Sequence, residues 1–460
     1  LNRLVPSVNL NGTINGRVPL GVRGVSSVSN EGTVGLSSGV AIMIDGVPVP
    51  SDSRAGNSLE DVQSIEVLKG PQATLGGRTA AAGVINIVTR QPTDQLAAGA
   101  TALATNDNEY RVNGFVSGPI GDTAKFSLAG YYTDRQYPIK NVKLNKFTSQ
   151  TVYGMRAKLL LQPTDKLDIT LATRLGQDNS DGFNFVYTHL SPGIYLLTGA
   201  GGPPFMSQAS LLPGITPGWD NQRYSSPVNA YAKVKDTDAS VDVQYHFDKV
   251  TLASTTAFQQ ENQYNVQDLF AVNDYFWNLL TGAGSGAAGT PPPFYNFQFQ
   301  DIRVKQVSEE LKLVSAVDQP FSYVVGLFYS DTKITQRYSR DLLPALQDVY
   351  VSPDTKTTDL YARGTFKLGG NNSLIVGGRL NEDKLSYNFI QYAYAASFPP
   401  PVLYNGLSAK DSSSETSFVG DLSFQHKYND NVMTYATYAR GYSPAAYNTA
   451  QSLTPTATKL

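Results

Sequence analysis

The chain has 460 residues, a formal net charge of −2 at neutral pH and no cysteine. This charge gives no electrostatic footprint for nucleic acid, and the lack of cysteine excludes disulfides and thiolate-based sites within the sequence. Only 16% of the residues are charged and 41% are hydrophobic, with 40 glycines and 27 tyrosines. This composition favours many strands joined by turns. No apolar run reaches the length of about 18 residues that a membrane-spanning helix needs.

Residues 1–93 have a mixed pattern. The apolar run from Val40 to Val47 contains Asp45-Gly46, a strong signal for a tight hairpin. Apolar residues at positions 59, 62, 65 and 68 predict a short helix leading into a strand that ends at Lys69. Another strand is predicted at residues 84–89. Together they indicate a small α/β domain with little core of its own, which we expect to pack inside something larger.

From about residue 97 onward, apolar and polar residues alternate. In residues 151–161, Tyr153 and Met155 share one face while Arg156 and Lys158 lie on the other. The same period of two recurs at residues 167–176, 239–247 and 417–425. Such alternation is typical of strands with one apolar and one wet face. We predict about thirteen antiparallel strands from it.

The predicted connections alternate in length. Short turns are predicted at residues 118–124, 162–166, 247–249, 316–320, 368–372 and 428–431. Longer loops are predicted at residues 135–150, 180–228, 261–301, 336–356 and 386–415. An up-and-down membrane barrel has this asymmetry, because its short turns face the periplasm and its long loops face the exterior.

Charge decides which face of the predicted strands points outward. With the opposite assignment Arg156, Lys158 and Arg174 would face lipid. Each basic residue near the midplane would then destabilise the barrel by about 2–4 kcal/mol. The apolar face is therefore expected to meet lipid, and these charges to face the lumen. A soluble antiparallel sheet would explain the alternation equally well, but it would not explain the asymmetry of the loops.

Four short motifs in residues 1–93 resemble the plug domain of TonB-dependent receptors, which are transporters of the Gram-negative outer membrane. They are Arg23-Gly24-Val25, Ile44-Asp45-Gly46-Val47, the eight residues from Ile65 to Gln72, and the seven residues from Gly83 to Thr89. Each motif alone is weak, but all four occur in the order and spacing of the family. Farther along, residues 435–442 resemble a barrel strand of the same family.

The resemblance implies a membrane all-β fold: part of a 22-stranded transmembrane barrel with a small α/β plug inside. The expected division is a plug at residues 1–93 and a partial antiparallel barrel of about thirteen strands at residues 94–460. Both ends of the sequence are expected to be cut. The implied partners are a ferric siderophore or similar small ligand, outer-membrane lipid, and the TonB energy-transducing complex, which would bind a missing N-terminal box. No cofactor is implied.

The resemblance also suggests residues that fasten the plug to the barrel. In the family, an acidic and a basic residue of the third motif contact charged residues of the barrel wall. Glu66 and Lys69 occupy these positions, and Arg23 of the first motif is added as a third candidate. The alternative is that they are solvated charges at the edge of the plug.

Ligand contacts are expected from outward-facing plug loops and from the aromatic residues of the long loops. The candidates are Asn30, Glu31, Asp52 and Arg54 in the plug, and Tyr187, Trp219, Tyr224, Tyr275 and Trp277 in the loops. The alternative for the plug residues is a solvated loop. For the aromatic residues it is packing of the loops against each other.

The predicted activity is recognition followed by energised import, without catalysis. Ser37 lies in a Gly-x-Ser-x-Gly pattern, but the required strand–turn–helix context is missing, so an outer-membrane enzyme is disfavoured. His189, His246 and His426 are far apart and offer no metal cluster. The main alternative is a diffusion porin or structural barrel with a vestigial plug.

Overall fold

The computed structural model of the chain describes residues 5, 8–10, 20–23, 25–26, 38–50, 61–77, 80–182, 186–189, 212, 214–226, 228–268, 297–317, 319–342, 345–392, 394–396, 402–404 and 406–446. Regular structure in this part is almost entirely strand. Of the helices in the described residues, none is long and apolar enough to cross a membrane.

Two small sheets come first. Strands β1 (Val8–Leu10), β2 (Leu20–Val22) and β3 (Val25–Ser26) form an antiparallel sheet. Strands β4 (Val40–Ile44), β5 (Val47–Pro48), β6 (Val62–Lys69) and β7 (Gly83–Thr89) form a second sheet in the order β5-β4-β7-β6. A single helical turn, α1 (Ala73–Gly76), lies between β6 and β7. Strands β4 to β7 with α1 are called the N-terminal unit below.

The core of the N-terminal unit is small. Val40 and Ile42 of β4 pack with Ile85 and Ile87 of β7, where the two strands run parallel. Val22 of β2 is fully buried against the same cluster. Burying one aliphatic side chain contributes roughly 1.5–3 kcal/mol to stability. Because this core contains few residues, its total contribution is modest. The N-terminal unit is therefore expected to depend on its surroundings for stability.

The helix predicted around residues 59–68 is wrong from Val62 onward, because Val62–Lys69 is strand β6. The spacing of apolar residues fitted a helical period, but Ile65 and Val67 also have the period of a strand. Both pack on the core of the N-terminal unit, with Ile65 opposite Ile87. Pairing with β7 satisfies the backbone and buries this face, so the tertiary contact overrides the helical pattern.

The remaining strands form one large sheet. Its first seven members are β8 (Ala97–Ala104), β9 (Glu109–Pro119), β10 (Ala124–Asn141), β11 (Lys146–Thr164), β12 (Leu167–Asp181), β13 (Arg223–Tyr224) and β14 (Tyr231–His246). The next five are β15 (Val250–Asp268), β16 (Phe297–Ser315), β17 (Phe321–Leu342), β18 (Ala345–Gly369) and β19 (Asn372–Gln391). Strands β22 (Leu407–Lys427) and β23 (Met433–Arg440) complete it, and β20 (Tyr394–Ala396) pairs with β21 (Val402–Tyr404) as a separate ribbon.

Neighbours in the large sheet are neighbours in sequence. Apart from β13, which runs parallel beside β10, each strand pairs antiparallel with the next from β8 to β23. The prediction of about thirteen antiparallel strands is confirmed. In the described residues, β8 and β23 are the two edges of the sheet. Because the N-terminal unit contacts strands from β11 to β22, the sheet wraps around it.

Several predicted long loops are in fact strand. Only residues 142–145 separate β10 from β11, and only residues 343–344 separate β17 from β18, where loops at 135–150 and 336–356 were predicted. About 9–11 residues suffice for a strand to cross a membrane, whereas β18 has 25. The Ser, Thr, Asp and Asn residues read as loops instead continue the strands on the long-connection side, beyond the length that a membrane crossing needs.

The two faces of the sheet have the predicted polarity. Arg156, Lys158 and Arg174 are buried on the inner face. Tyr153 and Met155 are exposed on the outer face, as expected for side chains that meet lipid. The lumen therefore receives the charges that would be costly in the membrane.

Candidate functional site: the contact between the N-terminal unit and the inner wall

The hairpin between β4 and β5 brings an aspartate to the inner face of the large sheet, which is called the wall below. Asp45 and Gly46 have φ values of 50° and 82°, as a two-residue turn of this type requires. The Asp45 carboxylate accepts hydrogen bonds from the Thr89 backbone N–H at 2.9 Å and the Thr89 hydroxyl at 2.6 Å. It also forms an ion pair with Lys158 Nζ of β11 at 3.0 Å. Asp45 therefore joins β7 to the wall.

Lys158 also contacts the backbone of β7 beside this ion pair. Its ammonium donates to the Thr89 carbonyl oxygen at 3.4 Å, and its side chain is only 3% exposed. On the next strand, Arg174 lies against Asp236 and Asp238, with 3.1 Å between Arg174 Nη1 and Asp238 Oδ2. Buried charges need partners of opposite sign, so the wall holds its own charges in place around the Asp45 contact.

The helical turn α1 makes a second contact, on the opposite part of the sheet. The Thr74 hydroxyl donates to Asp421 Oδ1 of β22 at 2.6 Å. Arg379 Nη1 of β19 donates to the Thr74 carbonyl oxygen at 3.3 Å. Arg379 is itself paired with Asp359 of β18, through Nε at 3.1 Å and also through Nη2. A buried charge network thus grips one residue of α1 at both its side chain and its backbone.

A further contact lies between these points on β16, and another lies beyond β11, on β9, where Arg90 directly follows β7. Gln306 Nε2 of β16 donates to the Pro48 carbonyl oxygen at 3.0 Å. The Arg90 guanidinium lies 3.9 Å from the centre of the Phe115 ring of β9, and its Nε donates to Asp61 at 2.9 Å. The N-terminal unit is therefore fastened at several separate places around the sheet by polar contacts.

Cavities remain along this interface. One of about 280 Å³ lies between Asp61 and Arg90 and the part of the wall that includes Gly99 and Tyr131. A smaller one, of about 50 Å³, lies beside Asp45 and the wall strands β11 to β15. The contact is therefore discontinuous, with space for water between the fastening points.

The described residues contain no group of three or more acidic or histidine side chains that could hold a metal ion. His246 Nε2 lies 3.0 Å from Asp168, and His426 Nδ1 lies 2.8 Å from Asn372 Oδ1. Both histidines sit at the short-turn rim, where these contacts join neighbouring strands.

The three predicted anchoring residues lie on or beside the N-terminal unit. Glu66 is exposed on β6 and accepts a hydrogen bond from Asn86 Nδ2 at 3.2 Å, within the same sheet. Lys69 ends β6 and is half-buried, and Arg23 is exposed next to Gly70. Their anchoring role stays a prediction.

The predicted ligand contacts differ widely in environment. Trp219 is 94% exposed, whereas Tyr224 is buried against Ala230 and Ile139. Tyr187 is half-buried, and its carbonyl oxygen accepts a hydrogen bond from Asn221 at 3.0 Å. Asn30, Glu31, Asp52, Arg54, Tyr275 and Trp277 lie outside the described residues. A role in ligand binding stays a prediction for all nine.

Sequence reasoning missed the residues that make the contact. The alternation on β11 predicts that Lys158 faces inward, and the Asp-Gly pair predicts a turn at Asp45. Nothing in the sequence paired them. Thr74 and Asp421 are 347 positions apart, so only the wrapping of the sheet around the N-terminal unit brings them together.

The comparisons with known proteins agree with this architecture. The TonB-dependent receptor plug domain matches residues 1–84, and the β-barrel of TonB-dependent receptors matches residues 197–458. The pesticin receptor of Yersinia enterocolitica is 26% identical over 465 aligned residues, covering 97% of this chain and 58% of that protein. A ferric enterobactin receptor of Pseudomonas aeruginosa is 33% identical over 150 residues, covering 28% of this chain and 19% of the receptor.

Solved structures give the same fold. The crystal structure of the ferric yersiniabactin uptake receptor of Yersinia pestis superimposes with a TM-score of 0.72 at 22% identity, covering 99% of this chain and 63% of that one. The chain spans 58% of the length of the pesticin receptor. The barrel match alone covers more than half of the sequence, and the chain belongs to the TonB-dependent receptor family.

Proposed function

We propose that this chain is part of an outer-membrane receptor of a Gram-negative bacterium that binds a ferric siderophore and imports it into the periplasm. Residues 1–93 would be the plug and residues 94–460 part of the barrel. The ligand would bind at the long-connection side and leave unchanged, without bond-making chemistry. The relatives described above support a ferric siderophore as the ligand class.

The observation that carries this proposal is the way the N-terminal unit is fastened inside the sheet. Contacts at Lys158, Gln306 and Asp421 hold it from three separated parts of the wall. A domain seated this way obstructs the lumen, so passage of a ligand requires it to move. Polar contacts beside cavities large enough for water suit such movement, because water can replace each lost partner. Work from the TonB complex would drive the movement.

Import can be tested with the full-length receptor in a strain that lacks its own siderophore receptors. Cells are given ⁵⁵Fe complexes of yersiniabactin and of enterobactin, with and without a functional TonB protein. We expect binding in both strains and accumulation only when TonB is present. Equal accumulation without TonB would contradict energised import, and failure to bind any ferric siderophore offered would contradict the ligand class.

The contribution of the long connections can be tested separately. Residues 190–211 and 269–296 are replaced by short Gly/Ser linkers in the full-length receptor, and affinity is measured by calorimetry. We expect a weaker affinity for the ferric siderophore, because residues 269–296 include the predicted contacts Tyr275 and Trp277, and residues 190–211 belong to the long connection that carries Tyr187 and Trp219. An unchanged affinity would remove the loops from the binding site.

A further inference from the structure

A band of amide side chains lies on the wall near the long connections. It is formed by β15, β16 and β17, and each of its members is at most 8% exposed. The members are Gln263, Asn265, Gln267, Gln298, Gln300 and Gln336. We call these six residues the amide band.

The amide band lies between the N-terminal unit and the long connections. On β16, Gln306 contacts Pro48 of the N-terminal unit, and Gln300 lies six residues closer to the start of the strand at Phe297. The long connection of residues 269–296 leads into this end of β16. A ligand that enters from the long-connection side therefore reaches the amide band before it reaches the N-terminal unit.

Two members of the band have unused hydrogen-bonding atoms. Asn265 and Gln300 are directly opposite each other, and Asn265 Nδ2 donates to Gln300 Oε1 at 3.1 Å. In the part of the chain that the structure describes, Asn265 Oδ1 and Gln300 Nε2 have no hydrogen-bond partner, although both residues are only 1% exposed. Reversing both amides would also leave one acceptor and one donor. Because buried polar atoms without partners are unfavourable, this pair suits a neutral ligand group that donates and accepts, such as an amide.

The wall around the amide band is acidic. On β12, β14 to β19 and β22, beyond Arg174 and Arg379 towards the long connections, the described inner side chains include four carboxylates and no lysine or arginine. The four are Asp178, Glu261, Asp383 and Glu415. Asp383 and Glu415 are directly opposite each other across β19 and β22. This part of the lumen therefore carries negative charge.

The sequence adds little positive charge at this end of the barrel. Residues 182–230, 269–296 and 392–406, which connect the strands there, contain two aspartates and one arginine as their only charged residues. The predicted ligand contacts of the plug include two acidic residues and one arginine. Arg340 of β17, whose side chain lies outside the described set, contributes one more positive charge. The acidic residues remain in excess, whichever partner each of them has.

We propose that the ligand is an uncharged or cationic ferric complex with amide groups, of the trihydroxamate class, and that the amide band binds it. This inference rests on the function proposed above. Three singly charged hydroxamates neutralise Fe³⁺, whereas three doubly charged catecholates leave a trianion, which an acidic lumen repels. The amide band supplies hydrogen bonds without adding charge, so it recognises the neutral groups of the complex.

The first test compares two ferric complexes on the full-length receptor by calorimetry. Ferrioxamine B is a trihydroxamate complex with one ammonium group, and ferric enterobactin is a triscatecholate. We expect ferrioxamine B to bind more tightly by about 10-fold or more. Failure to bind ferrioxamine B, or tighter binding of ferric enterobactin, would overturn the inference. Either result leaves the proposed function in place, which fails only if no ferric siderophore binds.

The second test removes the unused amide atoms. Asn265→Leu combined with Gln300→Met should weaken ferrioxamine B binding about 10-fold. The matched control is Gln162→Met with Gln244→Met, which removes two amides from the wall near the short turns. We expect the control to bind as the unaltered receptor does, and equal losses in both variants would overturn the role of the amide band.

The third test addresses the charge of the lumen. Glu261→Gln with Asp383→Asn removes two negative charges, and we expect it to narrow the preference for ferrioxamine B over ferric enterobactin. Heat-modified mobility on gels shows whether each variant is folded. An unchanged preference in the folded variant would overturn the electrostatic argument, and the comparison on the unaltered receptor decides the ligand class if a variant does not fold.

Discussion

Glycines on the inner wall are repeatedly covered by an aromatic ring from a neighbouring strand. A Cβ atom on Gly154 of β11 would lie 2.5 Å from the Tyr131 hydroxyl and 2.5 Å from the Leu175 carbonyl oxygen. A Cβ atom on Gly99 would similarly lie 2.6 Å from the Phe115 ring. These glycines give aromatic side chains room to lie flat on the sheet, which protects the exposed backbone of a glycine in a strand.

A side chain at Gly154 should therefore be harmful. We expect Gly154→Ala to destabilise the barrel by about 1–3 kcal/mol, because Tyr131 and the β12 backbone must both move. Gly130→Ala is the matched control, since its Cβ would meet only the Gly154 carbonyl oxygen, at 3.7 Å. The temperature at which the barrel loses its compact gel mobility measures the effect. Equal temperatures for the two variants would contradict the argument.

We expect the ion pair between Asp45 and Lys158 to stabilise the seating of the N-terminal unit in the sheet. Asp45→Asn leaves a buried ammonium without its charge partner, which costs about 3–5 kcal/mol when a pair is buried. We expect faster hydrogen exchange in β4 and β7, because the seating of the N-terminal unit is weakened. Exchange followed by mass spectrometry on the full-length receptor measures this.

The double variant separates the pair from other effects of Asp45. Lys158→Met alone leaves the Asp45 carboxylate, which Thr89 still partly satisfies. Combining Asp45→Asn with Lys158→Met removes both charges, and we expect exchange slower than in Asp45→Asn alone. Simple addition of the two single effects would show that the pair is not coupled.

At the level of elements, the strands of the large sheet were predictable and their ends were not. A period of two identifies β11, β12 and β14 because lipid and lumen impose opposite demands on alternate residues. Beyond the membrane those demands cease, so the apolar residues in the outer part of β18 do not mark a lipid-facing side; Val349 and Val351 are instead buried against Leu385 and Tyr387. In β6 the failure is different, because a helical and a strand period coexist and only the contact with β7 decides between them.

The contact of α1 lay beyond sequence reasoning for another reason. Thr74 is an ordinary residue in a four-residue turn, and Asp421 is one of many polar residues facing the lumen. Their meeting depends on the register of every strand between them. Residues that meet only because a whole sheet curves around another domain leave no local signal.

A disulfide at this contact should block movement of the N-terminal unit. These 460 residues contain no cysteine, so Thr74→Cys with Asp421→Cys introduces one defined pair. Thr74 Oγ1 and Asp421 Oδ1 are 2.6 Å apart. The sulfur introduced by Asp421→Cys would take the place of the aspartate Cγ, so α1 must approach β22 slightly for the bond to form. We expect oxidised cells to bind ferric siderophore but not import it, and a reductant to restore import. The single cysteine variants are the controls, and import by the oxidised double variant would place the movement elsewhere.

For the whole molecule, the N-terminal unit should determine conductance. We expect the full-length receptor to be nearly closed in a planar bilayer and a receptor without residues 1–93 to be open, because the unit occupies the space inside the wall. Replacing residues 190–211 by a short linker is the control, since it shortens a connection and leaves the unit in place. Similar large conductance with and without residues 1–93 would favour the alternative of a diffusion porin.

The parallel pairing of β4 and β7 has a mechanical consequence. The chain enters the N-terminal unit at the start of β4 and leaves it from the end of β7 towards β8 in the wall. In a parallel pair these two points lie at opposite ends, with the register running from Val40–Gly83 to Ile44–Ile87. A pull on the residues before β4 therefore loads this pair in shear, and its hydrogen bonds must yield together instead of one after another.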